Sequence, residues 1–170
     1  MNKQVKSIAF IGLSTALALI LAYAELLLPP LFAAVPGIKM GLPNIILIFL
    51  LYRCGAKAAA GVSLLRLLLV SVLFGNAMAF LYSLAGAALS MLVMVLMKRI
   101  NLLSALGVSV CGAVSHNVGQ ILMAMLLLET AELGYYLLVL TVTGTLAGIL
   151  IGLCGALMIR KIPQKFLPKI

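Results

Sequence analysis

The hydrophobic pattern has a coarse period. Long apolar runs are broken by short segments where Lys, Arg, Glu, Gly and Pro collect. A helix needs about 20 apolar residues to cross a bilayer. Against that length the chain predicts six spans, at about 7–28, 42–52, 58–74, 77–97, 103–128 and 135–159. The second is too short to cross alone as a straight helix. It follows VPGIKMGLPN (35–44), whose Pro residues break helix and whose Gly residues permit unusual backbone angles. Irregular backbone at membrane depth is tolerated where it lines a cavity or is buried in protein. This segment therefore reads either as such a wall or as an ordinary loop with a tight turn.

Composition turns this pattern into a solvent. The chain is 65% hydrophobic and 9% charged, whereas a soluble domain is about 45–50% apolar and about 25% charged. There are too few charges to make a water-facing surface. The expected fold is an all-α integral membrane protein, a six-helix transmembrane bundle forming a single domain over 1–170.

The net charge of +9 could point to nucleic acid, but the placement of the charges points to topology instead. Lys3 and Lys6 precede the first span. Arg53 and Lys57 separate the second and third, and Lys98 and Arg99 the fourth and fifth. Arg160, Lys161, Lys165 and Lys169 follow the sixth. Glu129 and Glu132 lie between the fifth and sixth. Basic residues thus mark alternate connections, and the positive-inside rule predicts both termini in the cytoplasm of a multi-pass protein of the cell membrane. The N-terminal Lys3, Lys6, apolar run and Ala22-Tyr23-Ala24 resemble a cleavable signal. Apolar sequence continues through Leu28, so the first span is read as retained.

The acidic inventory limits the chemistry. Glu25, Glu129 and Glu132 are the three acids, and there is no Asp. Asp dyads, Asp-rich Mg²⁺–diphosphate sites and EF-hands need residues that are missing. No GxxxxGK[ST] stretch occurs, so ATP hydrolysis by this chain is not expected. Cys54, Cys111 and Cys154 lack metal-ligand spacing and read as small packing residues. The expectation is a non-enzyme without metal or cofactor.

Against that apolar background the polar residues within spans stand out. An ionisable group there costs roughly 2.5–3.5 kcal/mol on insertion scales and is a functional candidate by default. Arg66 lies near the middle of the third span, and Glu25 near the far end of the first. SHNVGQ (115–120) places His116, Asn117 and Gln120 in the fifth. His116 and Gln120 are four apart on one helical face, with Asn117 beside them. Lys39, Asn44 and Asn76 fall in the outer loop or at outer helix starts. These eight residues are the candidate substrate-binding set, read as the walls of an outward-opening polar pocket. An interhelical hydrogen-bond network is the other reading of SHNVGQ, an ion pair with Glu25 that of Arg66, and a helix cap that of Asn76. Glu25 lies nearer the outer surface than Arg66, so the expectation is that Arg66 points into a hydrated cavity between the third and fifth helices. An anionic group of the substrate would replace water there.

Small residues at spacing four let membrane helices approach closely. Gly144, Gly148 and Gly152 form such a stripe in the sixth span, and Gly107, Cys111, Ser115 and Gly119 in the fifth. Both are expected to pack inside the bundle. Gly12 and Ala16 of the first span are expected to dock a partner helix.

GIKMGLPNI (37–45), LLRLLLVSVLFGN (64–76) and FLYSLAGAALS (80–90) resemble the small membrane family called heptaprenyl diphosphate synthase component I, also called Gx transporters. The resemblance runs from the first span to the sixth and rests on Lys39, Gly41, Asn44, Arg66, Gly75, Ser83, Gly86 and Ser90. That family looks related to S components of energy-coupling factor (ECF) transporters, six-helix substrate-binding proteins that work with a T component and two ATPases. The resemblance implies an S-component-like bundle and an AxxxA-type docking motif, which IGLSTALA (11–18) matches through Gly12 and Ala16. The expected function is capture of a small molecule, with an anionic micronutrient or precursor favoured by Lys39, Arg66 and His116 outnumbering Glu25. The expected partners are that substrate, the bilayer and an ECF module, not nucleic acid. The alternatives are a membrane accessory subunit in isoprenoid or quinone synthesis, and a structural subunit of a membrane redox complex.

Overall fold

A computed structural model describes residues 2–27, 41–74 and 77–168. Lys39, Asn76 and most of the Pro/Gly segment 35–44 lie outside the described residues. Within them the chain forms six α-helices: α1 (Lys3–Leu27), α2 (Asn44–Arg53), α3 (Ala56–Phe74), α4 (Ala77–Ile100), α5 (Ala105–Leu128) and α6 (Tyr136–Lys161). Five are long and apolar enough to cross a membrane, α6 together with the 3₁₀ turn before it.

α2 is the exception. Its 10 residues rise only about 15 Å, half the hydrocarbon core. Ile46 to Leu51 are all buried in succession, and a helix apolar all round belongs inside a protein. α2 packs on α3 and α6, touches α1 and α5, and fills the centre of one half of the bundle. The six expected helices are present, five of them candidate spans packed around a buried half-length helix.

That half is the basic end. The Arg53 guanidinium donates to the Ile159 carbonyl at the end of α6, and the Gln164 amide returns a bond to the Arg53 carbonyl at 3.0 Å. The Lys98 ammonium donates to the Leu51 carbonyl at 2.5 Å and lies over the Tyr52 ring at 5.0 Å. These cations satisfy last-turn carbonyls, which a helix end leaves open. Charges read from sequence as topology signals thus also pin the ends of α2 and α6.

Local chemistry ends the helices where the runs break. Asn101 takes a left-handed conformation (φ 57°) just past α4, which Asn tolerates better than most residues. Ser104 then caps α5, accepting from the Gly107 amide at 3.4 Å.

Glycines set the helix spacing on both sides of α5. A Cβ added at Gly148 or Gly152 would lie 2.7 Å from Val110 Cα or 2.9 Å from Leu106 Cα, so α6 rests directly on the α5 backbone. The 144–148–152 stripe packs internally as expected. On the α4 side the close approach is made by Gly86, Gly112 and Gly119. A Cβ at Gly119 would meet the Ala85 carbonyl oxygen at 2.7 Å. Of the expected stripe 107–111–115–119, Gly119 lies in that seam. Gly107 meets only Leu103 of its own chain segment, and the Ser115 hydroxyl bonds back to the Cys111 carbonyl at 2.6 Å.

Candidate functional site

At the end of the bundle opposite the basic residues, α2 stops short and leaves space above its first residue. α1 and α3 run side by side in the same direction, and the Tyr23 and Phe74 rings near their ends pack at a tilt of 37° with centroids 5.2 Å apart. Beneath them is a cavity of about 170 Å³, room for several waters or a small polar group. Its polar walls are Glu25 of α1, Asn44 of α2, Arg66 and Ser71 of α3, Ser83 of α4 and His116 of α5. Leu67, Val70, Phe74 and Phe80 complete it as apolar walls.

The turn entering α2 shapes the floor. Gly41 has φ +82°, and a Cβ there would sit 2.7 Å from the Asn44 amide nitrogen. Its carbonyl accepts from the Asn44 N–H at 2.8 Å, while its own N–H donates to Glu25 Oε1 at 2.5 Å. The Glu25 carboxylate thereby ties the end of α1 to the turn.

Arg66 and Glu25, expected at different depths, are both walls of this cavity and interact electrostatically. A long arginine stem covers the difference in height. The two charges offset one another, so the described walls are not strongly cationic. Arg66 is only 8% exposed, and its buried Nε has no hydrogen-bond partner among the described residues. The cavity spans α1 to α5 rather than lying between α3 and α5 alone.

SHNVGQ divides between two seams. His116 lines the cavity. Asn117 does not: its amide donates to the Leu140 carbonyl of α6 at 2.8 Å, and it joins α5 to α6. Gln120 is buried against Gly86 of α4, its Cγ 2.8 Å from where a Cβ would be. It is outside the cavity wall, and its Oε1 is buried without a partner. Each step along a helix turns about 100°, so neighbours on α5 face different helices. Of the eight candidates, Glu25, Asn44, Arg66 and His116 come together. Asn117 and Gln120 do not join them, and Lys39 and Asn76 lie outside the described residues.

Gly41, Ser71 and Ser83 are walls that the sequence reading left out of the site. For Ser83 a signal existed: with Gly86 and Ser90 it forms a small-polar i, i+3, i+7 face on α4.

Replacing Asn117 with Ala is expected to lower stability by about 0.6–1.7 kcal/mol, the range of interhelical hydrogen bonds in membranes. Ligand retention should be unchanged. Thermal unfolding in detergent, with ligand retention measured in parallel, checks both.

A polar cavity walled by helices long and apolar enough to cross a bilayer defines a multi-pass helical membrane protein with an internal site. The chain belongs to the heptaprenyl diphosphate synthase component I family, whose model matches residues 14–158. This is the family that the three motifs resemble. No curated protein and no solved structure matches the chain.

Proposed function

We propose that this protein is the substrate-binding membrane subunit of an uptake system, similar to ECF S components, and that its cavity takes a small anionic compound at Arg66. One observation carries this reading: a buried cation on the wall of a cavity, with an Nε–H that no group among the described residues accepts. Buried polar groups are normally satisfied. A planar guanidinium suits a carboxylate or phosphate, which it can hold bidentately. Glu25 on the same cavity wall offsets the charge and accepts the Gly41 N–H.

The basic end would face the cytoplasm, and the cavity would open outward. In this topology Glu132→Cys and Lys98→Cys, each in a background without other cysteines, are labelled from opposite sides. Labelling from the same side would overturn it.

With no nucleotide motif of its own, the chain would draw energy from a T component and two ATPases. Gly12 and Ala16 are exposed on α1, and a Cβ at Gly12 would meet no atom within 4 Å. A partner helix could pack there at close range. Ala16→Leu should then abolish co-purification with such partners and leave ligand retention intact. Transport by the protein alone, or an unaffected complex, would remove the docking role.

The family description favours a second reading, an accessory subunit in prenyl diphosphate synthesis. Incubation of the purified protein with farnesyl and isopentenyl diphosphates separates the two. No product is expected; chain elongation would overturn the uptake reading.

A further inference from the structure

We propose that the ligand is an amphiphile, with an oxyanion head at Arg66 and one apolar chain lying between α3 and α4. This rests on the ligand-binding reading above and adds the chemical class of the ligand.

The observation is a second space, an apolar groove of about 580 Å³ in the α3–α4 seam. Its walls include Ala60, Ser63 and Leu64 of α3 and Ala87, Ala88 and Met91 of α4. The groove and the polar cavity follow one another along α3 and α4, and Leu67 is a wall of both. On α4 the cavity ends at Ser83 and the groove begins at Leu84. On α3 Arg66 belongs to the cavity, and Ser63 and Leu64 to the groove. Polarity changes at that junction. The cavity has Glu25, Asn44, Arg66, Ser71, Ser83 and His116, whereas the groove has only Ser63 and, at its far end, Lys57.

Small side chains keep the groove open. Ala60, Ala87 and Ala88 leave unfilled the volume that larger side chains would occupy, in contrast to the α4–α5 contact, where Gly119 and Ala85 meet backbone to backbone. From Leu84 to Val95 the groove follows α4 for about 16 Å, which suits a medium-length chain rather than a compact polar molecule.

Anchoring by the head decides the occupant. Lipid tails are as apolar as the groove, so apolarity alone gives no preference for one chain over the surrounding lipid. A chain tethered to a head at Arg66 is held there; a bulk lipid chain is not. Occupancy of the groove by the ligand must therefore depend on Arg66.

The test uses purified full-length protein in lipid nanodiscs with two photoprobes, decyl phosphate and decanoate, each with a diazirine at the chain end. Adducts are mapped by mass spectrometry. At least one probe should label Ala87, Ala88 or Met91 tenfold or more above Leu146, a lipid-facing residue of α6 that is 59% exposed. The labelling should fall at least tenfold in Arg66→Met, fall less in Arg66→Lys, and be blocked in Ala88→Phe. Groove labelling that survives Arg66→Met would mean bulk lipid only, and absence of preference over Leu146 with both probes would mean no chain site; either overturns the proposal. A co-purified ligand that lacks an apolar chain but is lost in Arg66→Met would sink the amphiphile and leave the uptake reading standing. A ligand retained by Arg66→Met would remove the uptake reading itself.

Discussion

Arg66→Met is expected to cost at least about 30-fold in ligand affinity and to leave a protein that still inserts. Losing one partner of a buried hydrogen-bonded charge pair typically costs 2–5 kcal/mol, and about 1.4 kcal/mol is tenfold in affinity. Arg66→Lys should lose less, about tenfold, because an ammonium keeps the charge but not the planar fork. Stability should also fall in Arg66→Met, since Glu25 loses its attraction to the Arg66 charge. Adding Glu25→Gln should restore much of that stability without restoring binding, and amide donation from Gly41 to residue 25 would survive through the Gln oxygen. Thermal unfolding and ligand binding measured on the single and double variants separate the two effects. Equal affinity in Arg66→Met would make Arg66 a structural residue.

The second large effect lies in the α5–α6 seam. Gly148→Leu is expected to prevent accumulation of the folded bundle. A Cβ alone would sit 2.7 Å from Val110 Cα and 3.0 Å from Ala113 Cβ. The first is backbone and cannot rotate away, so α6 must retreat along its length. Overpacking of a tight core usually costs about 1–3 kcal/mol and occasionally more; a clash with backbone belongs at the upper end. Gly12→Leu is the matched control, because a Cβ at Gly12 meets no atom within 4 Å. It should leave the melting temperature of the isolated protein near that of the wild type. Size-exclusion profiles after a temperature series compare the two, and similar profiles would contradict this account of the seam.

The helix count and rough bounds were legible because apolar runs and charged breaks are long signals. The role of α2 was half legible: its shortness showed in the sequence, but its central burial depends on which helices surround it. Ile46 to Leu51, apolar on every face, was the available signal. In the site, Arg66, Glu25 and His116 were legible because ionisable groups are rare in spans. Asn117 and Gln120 were misplaced because α5 is covered by α4 on one side and α6 on the other, and single-helix spacing does not say which neighbour a face meets. Ser71 and Ser83 were passed over because serine is an ordinary packing residue in membrane helices. The pairing of Glu25 with Arg66 in one cavity depends on α1 and α3 running in parallel, which no local pattern encodes.

The central claim is that this bundle holds a small molecule at Arg66. Native mass spectrometry of the wild type and Arg66→Met, purified in parallel from the same membranes, tests it most directly. The account predicts a discrete small-molecule adduct on the wild type that carries an oxyanion and is absent from Arg66→Met, with both proteins equally folded. The same adduct on both proteins, or no adduct on the wild type together with no binding from a supplied metabolite extract, would contradict it.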